Sequence, residues 1–281
     1  MFLNCTLLQK RILIVLMTSV WVSVCQAQYD PCLGKSVFVI ETATVTESQK
    51  LLPMIAPYQK IERDGIKYYC GTFNDYPVML VHTGVGKVYA AVTNALLIST
   101  YHPRFILFVG LAGRLDPTLK YGDIVIGSEV YQVEHLKMSI GRTNKINPNT
   151  GLVYSPLLQP EAEVLRFVQT LPAFKNFSVV YGKIATTDEF PESKKLMKEI
   201  IKSNSRAIAM EDYAVIATCQ LLDTNCLTVR ALSDNPYKIL TMQDENNYHI
   251  EEKERLLTTN NLTQYVRIFL ETWLKQQQND R

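Results

Sequence analysis

Apolar residues occur along this chain in two patterns, one in short segments and one in longer segments. Short segments rich in Val, Ile, Phe and Tyr, bounded by turn residues, predict β-strands. Longer segments carry apolar residues at three- and four-residue intervals, which predicts helices. Strands that are apolar throughout and alternate with helices indicate a sheet covered on both faces, and hence an α/β fold.

The elements follow from the pattern in chain order. The predicted strands are Ser36–Ile40, Lys67–Phe73, Val78–His82, Phe105–Val109, Ile124–Val133, Val179–Ala185, Ala207–Met210 and Leu227–Ala231. The predicted helices are Val88–Tyr101, Glu161–Leu171, Ser193–Ser203, Asp212–Leu222 and Leu262–Lys275.

The N-terminal segment stands apart from this alternation. Lys10 and Arg11 precede an apolar stretch, Ile12–Val24, that is short for a membrane span. Small residues in Cys25-Gln-Ala27 then fit a cleavage site, so residues 1–27 are predicted to be a signal peptide of a secreted or periplasmic protein. An uncleaved membrane anchor is the alternative. Because no later segment looks transmembrane, we expect no membrane partner after cleavage.

Charge points to small-molecule chemistry. Without residues 1–27, which hold two basic residues and no acid, the 29 basic residues fall to 27 and equal the 27 acids. A neutral chain without a basic run argues against nucleic acid as a partner. No linker or repeat divides residues 28–281, so one domain is expected there.

The four cysteines left after cleavage allow two interpretations. Cys32, Cys70, Cys219 and Cys226 could pair in an oxidising compartment, one possible set being Cys32–Cys70 with Cys219–Cys226. Free buried thiols are the alternative, because Cys packs well as a small hydrophobe. Their spacing matches no metal site, so no metal is expected.

Two acids follow apolar runs at predicted strand ends. Glu211 comes just after Ala207–Met210, and Asp234 follows Leu227–Ala231. The carboxyl ends of strands border the ligand crevice in open α/β sheets, which makes the two acids candidates for one site. The alternatives are capping roles: Asp234 for the turn at Asn-Pro, and Asp212 for the next helix.

Two glycine pairs also follow strands. Gly84 and Gly86 open a predicted helix, and Gly110 and Gly113 follow Phe105–Val109. The first pair lacks the third glycine of a dinucleotide fingerprint and the ending of a phosphate loop. Taken alone, both pairs indicate conformational freedom rather than ligand binding.

Six motifs together carry a family resemblance. They are Thr83-Gly-Val-Gly-Lys-Val-Tyr-Ala-Ala91, Gly110-Leu-Ala-Gly113, Pro117-Thr-Leu-Lys-Tyr-Gly-Asp-Ile-Val125, Thr187-Asp-Glu-Phe190, Ala209-Met-Glu211 and Arg230-Ala-Leu-Ser-Asp234. In this order and spacing the chain resembles the nucleoside phosphorylase superfamily, specifically its methylthioadenosine/S-adenosylhomocysteine nucleosidases. The resemblance implies a three-layer α/β fold with a mixed, partly barrel-like central sheet, a homodimer and no cofactor.

The resemblance also implies roles for individual residues. The implied catalytic residues are Asp234, which protonates purine N7, Glu47, which activates water, and Arg230, which lies near that water. The implied substrate-binding residues are Glu211 and Met210 at the ribose, Phe190 stacked on the base, and Ser233 and Leu111. Arg230 could instead neutralise Glu211 or Asp234 in a buried pair.

Two positions depart from the family pattern. The segment Ala43-Thr-Val-Thr-Glu47 keeps only the alanine and the last glutamate, and a shift of one residue would put Ser48 in the place of Glu47. Leu111 stands where the nucleosidases usually carry a serine that helps to organise the water, which puts the hydrolytic rate in doubt.

The expected function is an exported purine nucleosidase that splits adenine nucleosides into adenine and a ribose derivative. Breaking this bond requires an acid for the leaving base and a base for the attacking water, a division of work that suits Asp234 and Glu47. A phosphate-dependent phosphorylase is the first alternative, although Phe108-Val109 stand where its arginine is expected. A nucleoside-binding or storage protein is the second.

Overall fold

A mixed β-sheet of ten strands organises the fold. The computed structural model describes residues 29–63, 65–134, 145–146, 153–155, 157–244 and 247–279. The strands are β1 Phe38–Thr42, β2 Gln59–Arg63, β3 Ile66–Phe73, β4 Tyr76–His82, β5 Phe105–Arg114, β6 Ile124–Gln132, β7 Lys145–Ile146, β8 Val153–Tyr154, β9 Leu157–Leu158, β10 Val179–Thr186, β11 Ala207–Ala209 and β12 Cys226–Asp234. Strands β7 and β8 form a separate pair.

The helices connect these strands. They are α1 Val45–Ser48, α2 Lys87–Tyr101, α3 Ala162–Val168, α4 Lys194–Lys202, α5 Asp212–Leu221 and α6 Glu252–Asn279, with short 3₁₀ turns at Leu52–Ile55 and Pro236–Leu240. No helix in the described ranges is long and apolar enough to cross a membrane.

Part of the sheet closes on itself. The strand order is β11-β10-β6-β12-β5-β1-β4-β3-β2, and β11 also pairs with β5, so five strands form a closed ring. Strands β1, β4, β3 and β2 extend the sheet from β5, and β9 pairs with β6. This architecture confirms the α/β fold class with a mixed, partly barrel-like sheet.

Helices cover both faces of the sheet. Phe38 and Ile40 of β1 pack into one core cluster with α3 and α6, while Val39 between them packs into a second cluster with α2 and α5. Successive strand residues point to opposite faces, so this alternation produces the predicted three layers. Residues Cys32–Arg281 form one compact unit. The segment predicted to be a signal peptide, residues 1–27, lies outside the described residues.

Several predicted elements have wrong boundaries. The strand predicted at Phe105–Val109 runs on to Arg114, so Gly110-Leu-Ala-Gly113 belongs to β5 rather than to a turn after it. The helix predicted at Leu262–Lys275 spans Glu252–Asn279. Strand β2 was not predicted, because Ile61 is its one buried residue and the segment has no apolar run.

Two disulfides crosslink the unit. Cys32 is bonded to Cys70 in β3, and Cys219 in α5 is bonded to Cys226 at the start of β12. This is the pairing that the sequence left open against free thiols. Paired cysteines are typical of oxidising compartments.

One buried carboxyl lies in the apolar layer beneath α2 and α5. Glu41 in β1 is fully buried beside Val81 and Phe108, its register partners, and both of its oxygens lack hydrogen-bond partners. Burial penalises the charged form and raises the pKa of Glu41 to about 8.

The burial of Glu41 predicts a pH-dependent stability. Between pH 4.5 and about 8 the folded protein keeps a proton that the unfolded chain loses, so rising pH favours unfolding. The free energy of unfolding should fall by up to about 1.4 kcal/mol per pH unit in this window. Glu41→Gln should make this slope shallower, whereas Glu62→Gln, at an exposed acid of β2, should leave it unchanged. Denaturant titrations at pH 5, 6.5 and 8 measure both, and identical pH dependence in wild type and Glu41→Gln would contradict the prediction.

Candidate active site

Three parallel strands bring the implied catalytic residues together. Strand β5 pairs in parallel with both β1 and β12, so their carboxyl ends lie along one edge. Glu47 lies in α1 just after β1, Leu111 lies in the last part of β5, and Arg230 lies in β12 beside Gly110. The predicted gathering of Glu47, Leu111 and Arg230 is therefore present in the structure.

Arg230 is at the centre of this group. Its side chain is 1% exposed, and its guanidinium lies over the ring of Phe108, with 4.7 Å from Cζ to the ring centroid. Nη2 donates to Glu211 Oε2 at 2.8 Å and to Asp212 Oδ2 at 2.8 Å, Nε donates to Asp212 Oδ1 at 3.0 Å, and Nη1 donates to the carbonyl of Leu111 at 3.3 Å. We call Arg230, Glu211, Asp212, Glu47 and the Leu111 backbone the Arg230 cluster.

Electrostatic pairing holds the charge of Arg230. Burial alone would lower the pKa of Arg230, but Asp212 and Glu211 beside it raise the pKa above its ordinary value. Of the two buried pairs suggested by the sequence, the structure contains the pair of Arg230 with Glu211. The second partner of Arg230 is Asp212.

Asp212 is a functional-site residue that the sequence did not reveal. We expected it to cap α5, yet the N-cap position is Glu211, and the fully buried carboxylate of Asp212 binds Arg230 instead. An acid at the start of an amphipathic helix is typical of capping. The position of β12 beside α5 shows that Asp212 binds Arg230 rather than capping α5, and this position cannot be read from the sequence.

The first glycine pair helps to position Glu211. Gly86 has φ +94° at the N-cap of α2, and its amide donates to Glu211 Oε1 at 2.9 Å. A residue with a side chain would be strained at this φ. The loop that looked only structural in the sequence thus orients the carboxylate that is implied to hold the ribose.

Glu47 rather than Ser48 faces the cluster. Its Oε1 accepts from the amide of Leu111 at 2.8 Å, and its Oε2 accepts from the amide of Thr44 at 2.9 Å, which forms the capping box of α1. Ser48 Oγ instead bonds His82 Nε2 at 2.6 Å. Burial raises the pKa of Glu47, and Arg230 offsets part of this rise.

Gly110 leaves room for the side chains of Glu47 and Arg230, which both approach its Cα. A Cβ at this position would lie 2.6 Å from Glu47 Oε1 and against Nη1 of Arg230. A methyl group there would push the two side chains apart. The glycine at residue 110 is therefore required by the close approach of two charged groups.

Leu111 contributes through its backbone. Its amide and carbonyl bond Glu47 and Arg230, while its side chain packs against the core cluster beneath α6. Replacing serine by leucine at this point thus leaves these two backbone contacts in place.

Asp234 forms a second group at the end of β12. Ser233 Oγ donates to its Oδ1 at 2.8 Å, and the hydroxyl of Tyr248 donates to its Oδ2 at 2.5 Å. Asp234 is 4% exposed, and burial raises its pKa although Tyr248 and Ser233 lower it in part. The capping alternative for Asp234 is wrong, because the side chain of Asn235 caps the following turn.

Phe190 and Met210 flank these groups. Phe190 is 49% exposed and meets the ring of Tyr248 edge-on, with 5.9 Å between centroids. Met210 is half-buried between β11 and α5. Tyr248 was not assigned a role from the sequence, because a tyrosine in a polar stretch carries no distinguishing signal.

The two groups lie four residues apart on β12, at Arg230 and Asp234. Four strand residues span roughly 13 Å, a distance suited to a nucleoside with its base at one end and its ribose at the other. Among the described residues, no group of His, Cys, Asp and Glu side chains could hold a metal ion.

A family model for the phosphorylase superfamily matches residues 40–270. The chain belongs to the phosphorylase superfamily. The resemblance inferred from the six motifs is therefore confirmed.

Relatives in this superfamily include nucleosidases. The chain is 30% identical over 171 residues to the 5'-methylthioadenosine/S-adenosylhomocysteine nucleosidase of Staphylococcus haemolyticus, a match that covers 60% of this chain and 73% of that protein. The enzyme of the same name from Staphylococcus aureus strain MRSA252 is 29% identical over 174 residues, with the same coverage.

Solved structures show the same fold. The nucleosidase of Colwellia psychrerythraea in complex with adenine has a TM-score of 0.68 and 23% identity, over 85% of this chain and 96% of that chain. The enzyme of Neisseria meningitidis in complex with methylthio-immucillin-A has a TM-score of 0.68 and 22% identity, over 85% and 100%. The structure of a futalosine hydrolase mutant of Helicobacter pylori has a TM-score of 0.66 and 18% identity, over 86% of this chain and 100% of that chain.

In this superfamily member, Asp212 should be essential for stability. Asp212→Asn removes the charge that binds Arg230 through two nitrogens, and breaking a buried ion pair costs about 3–5 kcal/mol. The matched control is Glu62→Gln, since Glu62 is 60% exposed and pairs with Lys67 at the surface. Surface pairs contribute about 0–1 kcal/mol. Urea titration compares the two variants, and equal losses would contradict a special role for Asp212.

Proposed function

We propose that the protein is a purine nucleosidase that hydrolyses the N-glycosidic bond of adenine nucleosides of the methylthioadenosine/S-adenosylhomocysteine type. The proposal rests on two different surroundings along β12, one at Asp234 and one at Arg230. A buried acid with a raised pKa, Asp234, lies four residues beyond a carboxylate-rich cluster around Arg230. The names of the relatives support an N-glycosyl hydrolase.

Each group has a distinct task in this reaction. Asp234, whose protonated form is favoured by burial, delivers a proton to purine N7 as the bond to the ribose breaks. Glu47 takes a proton from the attacking water, and Glu211 holds the ribose hydroxyls as positive charge develops on the ring. Arg230 holds Glu211 in place, and the amides of Leu111 and Thr44 hold Glu47.

Charge in the Arg230 cluster supports water over phosphate as the nucleophile. The side chains of Glu47, Glu211 and Asp212 are three carboxylates around one guanidinium. Such a surplus of negative charge repels an anionic nucleophile and admits a neutral one. This supports hydrolysis rather than the phosphorylase alternative.

The contacts of Leu111 bear on the storage-protein alternative. Loss of the expected serine was the reason to doubt catalysis. Because the backbone of Leu111 still bonds Glu47 and Arg230, the base and its neighbouring cation keep their positions without a serine hydroxyl. The arrangement supports an enzyme over a binding module.

A nucleoside panel tests the proposed function. Adenosine, methylthioadenosine and S-adenosylhomocysteine should release adenine without phosphate. Inosine should react up to about 10⁴-fold more slowly, because Asp234 can accept from a 6-amino group and a 6-oxo group lacks that donor. Chromatography of the released base, with and without phosphate, measures this. Turnover that requires phosphate, or equal turnover of inosine and adenosine, would contradict the proposal.

Two variants separate the enzyme from a binder in the same assay. Asp234→Asn should lower turnover by about 10²-fold or more and largely spare binding, since the amide bonds the base but delivers no proton. Asp223→Asn, at an exposed acid after α5, is the matched control and should behave as wild type. Wild-type release no faster than that of Asp234→Asn, with both binding nucleoside, would indicate a storage protein.

The proposal extends to assembly as a homodimer. Val85, Val88, Tyr89, Val92 and Leu96, which we call the α2 stripe, lie on one face of α2 and the loop before it. Their exposures run from 36% to 71%. Helical spacing places them side by side, and an exposed apolar patch of this kind supports a protein interface. A second copy of the chain is the proposed partner, in line with the resemblance.

A charge in the α2 stripe should disrupt the dimer. Val92→Glu should yield monomers, because the introduced carboxylate would be buried in an apolar interface. Leu256→Glu adds the same side chain at an exposed apolar residue of α6, on the opposite face of the sheet, and should leave the dimer intact. Light scattering after size exclusion gives the masses. A wild-type monomer, or dissociation by both variants, would refute this interface.

Export completes the proposal. It rests on the residue pattern of the first 27 positions, and N-terminal sequencing of the mature protein, expected to begin near Gln28, would decide it.

A further inference from the structure

Lys87 is a largely buried cation that has no part in the chemistry described so far. It is the first residue of α2, directly after Gly86, and its side chain is 14% exposed. Its Nζ donates to Glu134 Oε2 at 2.8 Å and lies 3.1 Å from Asp188 Oδ2. A lysine ammonium group usually extends into water, so one held inward between two carboxylates calls for an explanation.

Glu134 connects this ion pair to the loop after β10. Its Oε1 accepts from the hydroxyl of Thr187 at 2.9 Å and from the amide of Asp188 at 3.2 Å. Burial alone would raise the pKa of Glu134, but the hydrogen bond and the charge of Lys87, together with the hydrogen bond from Thr187, lower it below its ordinary value. Glu134 is therefore a carboxylate at neutral pH. We call Lys87, Glu134 and Asp188 the Lys87 tether.

The loop before α2 is bonded on its other side to the segment after β1. The amide of Gly84 donates to the carbonyl of Ala43 at 3.2 Å. Only Val85 and Gly86 lie between this bond and Lys87. Gly86 has φ +94°, a region that glycine enters without strain, so its backbone takes its position from the contacts on either side.

The position of Gly86 affects the acid that is implied to hold the ribose. The amide of Gly86 donates to Glu211 Oε1 at 2.9 Å, and Arg230 donates to Oε2 at 2.8 Å. One oxygen of this carboxylate is thus oriented by a buried cation and the other by a loop amide. Lys87 is the next residue, and Asp188 binds both its ammonium and its backbone amide, the latter at 3.0 Å.

We propose that Lys87 is a positioning residue that fixes the Gly86 amide against Glu211 and so orients this carboxylate toward the ribose hydroxyls. The inference rests on the proposed function, in which Glu211 holds those hydroxyls. Lys87 does not touch the substrate in this scheme, because its ammonium binds Glu134 and Asp188. A carboxylate oriented from both sides needs little rearrangement when the ribose binds, which is the advantage of a preorganised site.

Hydrogen exchange of the Gly86 amide in the ligand-free protein tests the tether directly. Lys87→Met keeps the apolar stem and removes the charge. Because local loosening exposes a bonded amide to exchange, the variant should lower the protection of this amide by about 10-fold or more. Lys67→Met is the matched control, at a 58% exposed lysine that pairs with Glu62, and it should leave the protection unchanged. Unchanged protection in Lys87→Met would overturn the proposal.

Kinetics test what the tether does for the substrate. Lys87→Met should lower kcat/KM for adenosine by up to about 10²-fold, because a misplacement of about 1 Å in an orienting group can cost that much. The loss should be much smaller with 2',3'-dideoxyadenosine, which lacks the hydroxyls that Glu211 holds. Lys87→Arg restores a cation beside Glu134 and Asp188 and should recover most of the activity on adenosine. Equal losses with both nucleosides would overturn the proposal.

The outcomes distinguish this inference from the proposed function. A wild type that releases no base from any nucleoside would refute the proposed function, and exchange of the Gly86 amide would still decide whether Lys87 holds it. A Lys87→Met protein that only melts at lower temperature, with wild-type exchange and selectivity, would mark Lys87 as structural and overturn the inference.

A second variant tests the tether from its other side if Lys87→Met does not fold. Glu134→Gln removes the charge that faces Nζ and keeps an oxygen for Thr187 and Asp188. It should shift the exchange of Gly86 and the selectivity between the two nucleosides in the same direction. Wild-type values of both in Glu134→Gln would overturn the inference.

Discussion

The burial of one guanidinium governs the architecture of this site. Removing a charge from water costs several kcal/mol unless it is paired and its hydrogen bonds are satisfied. Arg230, at 1% exposure, meets that demand with two carboxylates, a backbone carbonyl and an aromatic ring. Its partners come from α5, β5 and the end of β11, so their relative positions are set by a single charge.

The contacts that stabilise the charge of Arg230 also position a carboxylate that the proposed reaction uses. Glu211 is held by Arg230 on one side and by the amide of Gly86 on the other, which leaves little freedom to its carboxylate. Glu47 completes the capping box of its own helix and also accepts a hydrogen bond from the amide of Leu111. A site oriented by backbone amides tolerates a change of side chain, which explains how leucine can stand at residue 111.

The carboxylates around Arg230 and the carboxyl of Asp234 lie at two points along β12 and have different surroundings. Around Arg230, a cation compensates several carboxylates in the same small volume. Around Asp234, the partners are hydroxyl groups of Ser233 and Tyr248. Different surroundings favour different protonation states of acids, which is why the proposed function gives the two ends of the site different steps.

The sequence by itself determined the elements and the family. Apolar periodicity located most strands and helices, and six motifs placed Asp234, Glu211, Arg230 and the others in one site, because these signals are local or depend only on order along the chain. Tertiary structure alone decided the closure of the ring through β11 and β5, the choice of Glu47 over Ser48, and the binding of Arg230 by Asp212. It also brought Tyr248 to Asp234. Each of these features depends on contacts between residues far apart in the chain. In the sequence alone, an acid at the start of a helix or a polar residue in a loop favours a commoner local role, such as capping.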